Sequence, residues 1–179
     1  MTRPPYFVPL PAALMLGLLL LLAPFRTHAA AFEDAQQQWL IGQRAQAMQT
    51  LEKALADDPN NARLRFSLAA MLLESGASAR AEAMFKQLTE DFPDLADPHN
   101  NLAVIYAARG ELDAAYLALE RAVRLQPEHA QAQENLGDVL LQLAARAYGR
   151  AADLSKLPIA RTKGDKTLQL LRALGNPQR

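Results

Sequence analysis

The sequence predicts an all-α chain built as a row of antiparallel helix pairs. Two observations carry this. Residues of the same kind recur every 34 positions, in the columns Gly42, Gly76 and Gly110, then Ala47, Ala81 and Ala115, then Pro59, Pro93 and Pro127. Large and medium apolar residues keep the same interval, Leu51 with Phe85 and Leu119, and Ala54 with Leu88 and Ala122. Within each unit they follow the alanine by four and seven residues, which places them on one helix face. A period of this length marks a repeat architecture, in which one helix pair cannot bury its apolar side and its neighbours complete the core.

In chain order, residues 1–29 stand apart. Arg3 is followed by an uncharged, apolar run from Tyr6 to Ala23, then by small residues at Ala29, Ala30 and Ala31. A basic end, an apolar centre and an alanine-rich exit form the pattern of a secretory signal peptide. Cleavage is expected after Ala29 or after Ala31. The 18 residues from Tyr6 to Ala23 are also just long enough for an uncleaved anchor, which is the alternative.

Residues 30–154 form the array, about three and a half units. In each unit the glycine closes the first helix by adopting a turn conformation that other residues resist. The alanine lets the second helix approach closely, the large residue fills the space between the two, and the proline ends the pair. The first unit pairs a helix from Phe32 to Ile41 with one from Arg44 to Ala56. The second runs from Ala62 to Leu95 and the third from Ala96 to His129. The last begins at Ala130, but Ala144 stands where the period requires glycine. With no turn signal, one long helix is expected from about Ala130 to Leu154. In the tail, residues 155–179, Ile159 to Gly164 read as a loop, and Leu168, Leu171 and Leu174 give a short helix from Lys166 to Leu174.

The 179 residues hold 19 basic and 19 acidic side chains and no cysteine. The balance conceals a segregation. Residues 30–149 carry 10 basic and 17 acidic residues, whereas residues 150–179 carry 7 basic and 2 acidic. The chain has no general basic surplus for nucleic acid, and its lack of thiols excludes disulfides and thiolate metal sites. His28, His99 and His129 do not pair at metal-ligand spacing. Asp57-Asp58 and Glu90-Asp91 read as polar helix ends, and no serine lies in a nucleophile-elbow context. The expectation is a non-enzymatic chain with no metal and no cofactor.

The period and the pattern Leu68, Ala69, Leu72, Gly76, Ala81, Phe85, Leu88, Pro93, repeated as Leu102, Ala103, Tyr106, Gly110, Ala115, Leu119, Ala122, Pro127, resemble the tetratricopeptide repeat family. The resemblance implies a right-handed superhelical array, an α-solenoid, whose first helices line a concave binding face. Carried over position by position, that face holds Arg63, Phe66, Ala70, Leu73 and Glu74, then Asp97, Asn100, Val104, Ala107 and Ala108, then Gln131, Glu134, Asp138 and Leu141. It implies a protein or peptide partner, one with an apolar anchor and a positive charge. Asn101 and Asn135 match the family's clamp for acidic peptide ends, but Phe66, Ala70 and Gln131 replace its cations, so that specialised use is rejected. By resemblance to exported bacterial members, the expected role is an adaptor or scaffold of the cell envelope, in the periplasm, with an inner-membrane-anchored periplasmic domain as the alternative. A second reading is self-assembly, monomers pairing into a homodimer through Leu140, Leu143, Ala147 and Leu154 of the long helix. The basic cluster from Arg161 to Lys166 is a minor candidate for peripheral contact with an anionic envelope surface.

Overall fold

The computed structural model describes residues 28–155 and 158–174; residues 1–27 of the expected signal segment, 1–29, lie outside them, and its last two residues begin the first helix. Among the described residues all regular structure is helical. The helices are α1 (His28–Leu40), α2 (Arg44–Asp57), α3 (Ala62–Glu74), α4 (Ser78–Asp91), α5 (Ala96–Ala108), α6 (Leu112–Leu125), α7 (Ala130–Ser155) and α8 (Pro158–Leu174). Consecutive helices pack as pairs, α1 with α2, α3 with α4, α5 with α6 and α7 with α8, and each pair leans on the next. The first helix starts earlier than expected, because alanines are strong helix formers. No helix among the described residues is long and apolar enough to cross a membrane.

The three periodic glycines each do the same work. Gly42, Gly76 and Gly110 have φ of 83°, 86° and 75°, a region open to glycine at no steric cost. In each, the glycine N–H donates three residues back and the next N–H donates five back. The pairs are Gly42 to Trp39 and Gln43 to Gln38, Gly76 to Leu73 and Ala77 to Leu72, and Gly110 to Ala107 and Glu111 to Tyr106. This is the Schellman closure, which satisfies carbonyls that the helix end would leave open. Ala144 occupies the fourth place in the series. An alanine resists positive φ, no closure forms, and α7 runs on for 26 residues as the sequence predicts.

The apolar columns are the core. Ala47, Leu51, Ala81, Phe85, Leu88, Ala115, Leu119 and Ala122 are fully buried on the second helices, facing Leu64, Leu68, Ala69, Leu72, Leu102 and Ala103 on the first. Two clusters result, one from α1 to α5 around Phe85 and one from α5 to α7 around Leu119, with Tyr106 packed against both. Polar pairs tie helices both within and between units. Arg65 is buried and its guanidinium lies 2.6 Å from Asp91, while Arg146 reaches Asp113 at 2.9 Å. Glu82 accepts from Arg109 at 2.6 Å and Lys86 at 2.8 Å.

The Arg109 hydrogen bond, with Lys86 behind it, holds the Glu82 carboxyl at about 2. A carboxylate lowered on folding stabilises the protein above its unfolded value of about 4.5 and loses that effect as pH falls toward 2. The Glu82→Gln variant is expected to show a flatter decline of Tm across that interval, followed by circular dichroism.

The tail corrects the sequence reading. Residues 159–164, expected as a loop, are the opening turns of α8. Pro158 takes the first helical position, where its missing N–H costs nothing and its fixed φ suits the helix. Gly164 marks a crossing, not a break. It is buried, and a Cβ there would lie 3.5 Å from the Tyr148 Cβ. That is ordinary contact, so Gly164→Ala is expected to stabilise α8 by about 1 kcal/mol through helix propensity, read as a raised Tm.

Candidate functional site

Among the first helices, α1 stands beside α3 and α5 beside α7, and their exposed residues form the candidate binding face. Its amino-terminal half holds a hollow of about 530 Å³ between α1 and α3, lined by Phe32, Gln36, Trp39, Leu40, Arg63, Phe66, Ser67, Ala70, Met71 and Glu74. Aromatic side chains shape it. The Phe66 ring rests on the buried Phe85 ring, centroids 5.7 Å apart, and so is held from behind. The Arg63 guanidinium lies 3.6 Å from the Phe32 ring centroid, close enough for cation–π attraction. Trp39 donates its indole N–H to Glu74 at 3.1 Å, which fixes one wall, and Arg44 lies over its ring at 5.1 Å. Leu40 stands 84% exposed at the rim, an apolar side chain offered to solvent beside a hollow.

The carboxyl-terminal half has a small apolar floor and a polar, acidic rim. A smaller hollow of about 170 Å³ between α5 and α7 is lined by Ala103, Val104, Ala107, Leu119, Asn135, Asp138, Val139 and Gln142. Asp138 and Glu134 are exposed on α7. Gln131 donates to Asn135 at 3.2 Å and to Glu134 at 3.4 Å. Asp97 accepts from His129 at 2.9 Å, with its own side chain largely in solvent.

Of the residues expected on this face, Arg63, Phe66, Ala70 and Glu74 line the larger hollow and Val104, Ala107 and Asp138 the smaller. Asp97, Gln131 and Glu134 are exposed nearby. Leu73 packs against the core cluster and enters neither hollow. Asn100 is buried, and its side-chain oxygen accepts from the Asn135 amide at 2.8 Å; it joins two units. Asn101 donates to the Asp97 carbonyl at 2.9 Å, a local bond within its helix. His99 is half-buried, with Nε2 enclosed and unpartnered among the described residues, and burial holds its imidazole below the ordinary value.

Sequence reasoning missed Phe32, Gln36, Trp39 and Leu40, because it carried the concave face only from the second unit onward. The signal was present. Stepping back 34 residues from Phe66, Ala70, Leu73 and Glu74 lands on those four positions.

The tetratricopeptide repeat family profile matches residues 42–105 and again residues 96–129. A human relative, tetratricopeptide repeat protein 8, is 28% identical over 93 residues, which are 52% of this chain and 17% of that protein. The match thus spans about a sixth of the relative's length. Among solved structures, the first such domain of Spaghetti (RPAP3), bound to the HSP90 peptide SRMEEVD, superposes with a TM-score of 0.61 at 19% identity, covering 66% of this chain and 94% of that one. The MamA protein superposes with a TM-score of 0.60 at 20% identity, covering 82% of this chain and 89% of that one.

Proposed function

Because the chain belongs to the tetratricopeptide repeat family, we propose that it is a protein-binding adaptor whose first-helix face receives a peptide segment of a partner. The observation that carries this is the aromatic hollow between α1 and α3. It is preformed, walled by Phe32, Trp39 and Phe66, and open to solvent beside the exposed Leu40. Such a hollow takes one large apolar side chain, the anchor that usually dominates peptide affinity. Further along the face Asp97, Glu134 and Asp138 are exposed, and they favour basic residues on the same peptide. The peptide held by the Spaghetti (RPAP3) domain lends support to the use of this fold for peptides. The acidic character of that peptide differs from the basic one proposed here. The protein acts by binding and not by catalysis, and its amino-terminal segment supports a place in the cell envelope, exported to the periplasm.

Selection of a random peptide library on the purified protein tests the site. Enriched peptides are expected to carry a large apolar residue with lysine or arginine on one side, and to be lost on a Phe66→Asp variant shown by circular dichroism to be folded. Enrichment of acidic peptides, or equal retention by both proteins, rules out this assignment. Intact mass of the protein recovered from envelope fractions tests export, since an uncut chain in the cytoplasm contradicts it.

A further inference from the structure

We propose that the last unit of the array holds an open seat for a helix supplied by another protein, one with a small apolar seam and an acidic flank. The argument is positional. In the second unit Leu68, Ala69 and Leu72 of α3 are buried where α4 packs against α3, and in the third Ala103 of α5 is buried where α6 does, while Leu102 joins the cluster around Phe85. The corresponding residues of α7 are Leu136, Gly137 and Leu140. Gly137 is exposed, and Leu140 is 46% exposed where Leu72 is 2%. Helix α8 turns back on α7, crossing it at Tyr148 and Gly149, and its last described residue comes level with about residue 138, so among the described residues Gly137 lies past the end of the second helix that its counterparts Ala69 and Ala103 have beside them.

The strip continues along the hairpin, with Leu140, Ala147 and Leu154 exposed and Ala144 and Ala151 half-buried. Leu140, Ala144, Ala147, Ala151 and Leu154 step by four and three residues along one flank of α7, and Ile159, Lys163, Lys166 and Leu170 keep the same steps on α8. The contact of Lys163 with the Tyr148 ring, 5.7 Å from its centroid, and of Gly164 with Tyr148 set the two strips side by side. Leu154 and Ile159 are strongly exposed at its far end.

The chemistry of the strip selects its occupant. The alanines on α7 let a helix come close, as Ala81 and Ala115 do within the array. Of the hairpin's acids, Asp153 and Asp165 fall on the opposite flank by the same register, and Glu134 and Asp138 lie off the strip on the earlier part of α7, so among the described residues Lys163 and Lys166 face outward without a carboxylate on their own flank. An incoming helix with glutamate or aspartate beside its apolar seam satisfies both features. A second copy presenting the same strip sets lysine against lysine, which is repulsive. This proposal is independent of the peptide site between α1 and α3.

The probe is a labelled synthetic peptide of residues 78–91, the helix that fills the equivalent seat in the second unit, carrying Arg80→Glu and Lys86→Glu. The full chain is expected to bind it saturably by fluorescence anisotropy. Leu140→Asp alone and Lys163→Glu with Lys166→Glu are each expected to weaken binding about tenfold or more, while Trp39→Ala leaves it unchanged. Leu140 is partly exposed, so its variant should fold, and thermal melts verify this. No saturable binding, binding indifferent to both variants, or binding lost only with Trp39→Ala overturns the proposal. So does concentration-dependent dimerisation abolished by Leu140→Asp, which assigns the strip to a second copy. Sedimentation with phosphatidylcholine–phosphatidylglycerol vesicles that depends on Lys163 and Lys166 also overturns it, and assigns the strip to a lipid surface.

Discussion

Replacing Phe85 by alanine is expected to lower the unfolding free energy by about 3–5 kcal/mol, the range for emptying a buried aromatic site. Phe85 is fully buried in the cluster that spans α1 to α5, and its ring supports Phe66. An array of so few units has little stability to spare, and each unit relies on its neighbours. The damage should therefore be uneven. Hydrogen exchange is expected to accelerate in α1 to α4 first, while α6 and α7, held by the cluster around Leu119, stay protected longer. Uniform acceleration across all helices would show that the array unfolds as one block and that the two clusters have no separate standing. Denaturation in urea measures the size of the loss.

Trp39→Ala is expected to weaken binding of a selected peptide about thirtyfold, which corresponds to about 2 kcal/mol. The indole forms one wall of the α1–α3 hollow and carries the bond that orients Glu74. Removing it widens the hollow and frees the carboxylate together. Trp39 is only half-buried, so the stability of the variant should fall far less than that of Phe85→Ala. Titration calorimetry gives the affinity and a thermal melt the control. Unchanged affinity would place the anchor elsewhere on the face.

The fold was legible because its signals are local and repeated. A glycine that must take positive φ, an alanine that must be buried and a proline that must end a helix each constrain one residue, and the period multiplies the evidence. The missing glycine at Ala144 was legible for the same reason. Gly164 was not, since a glycine needed for a turn and one needed for a close helix crossing look alike until the facing residue, Tyr148, is known. The site was half legible. Arg63, Phe66, Ala70, Glu74, Val104, Ala107 and Asp138 follow from the family resemblance, carried over position by position. Asn100 does not, because its burial depends on Asn135, 35 residues away on another helix. Phe32 and Trp39 were hidden by a different ambiguity, since an aromatic stripe on an end helix reads equally as core and as a wall open to solvent.

Helix α5 gives Leu102 and Ile105 to one apolar cluster and Ala96 and Ala103 to the other. Tyr106 of the same helix packs against both. The aromatic hollow and the acidic rim are thus coupled through one thirteen-residue segment, and the stiffness of that joint is expected to set how far apart the two ends of a bound ligand can lie.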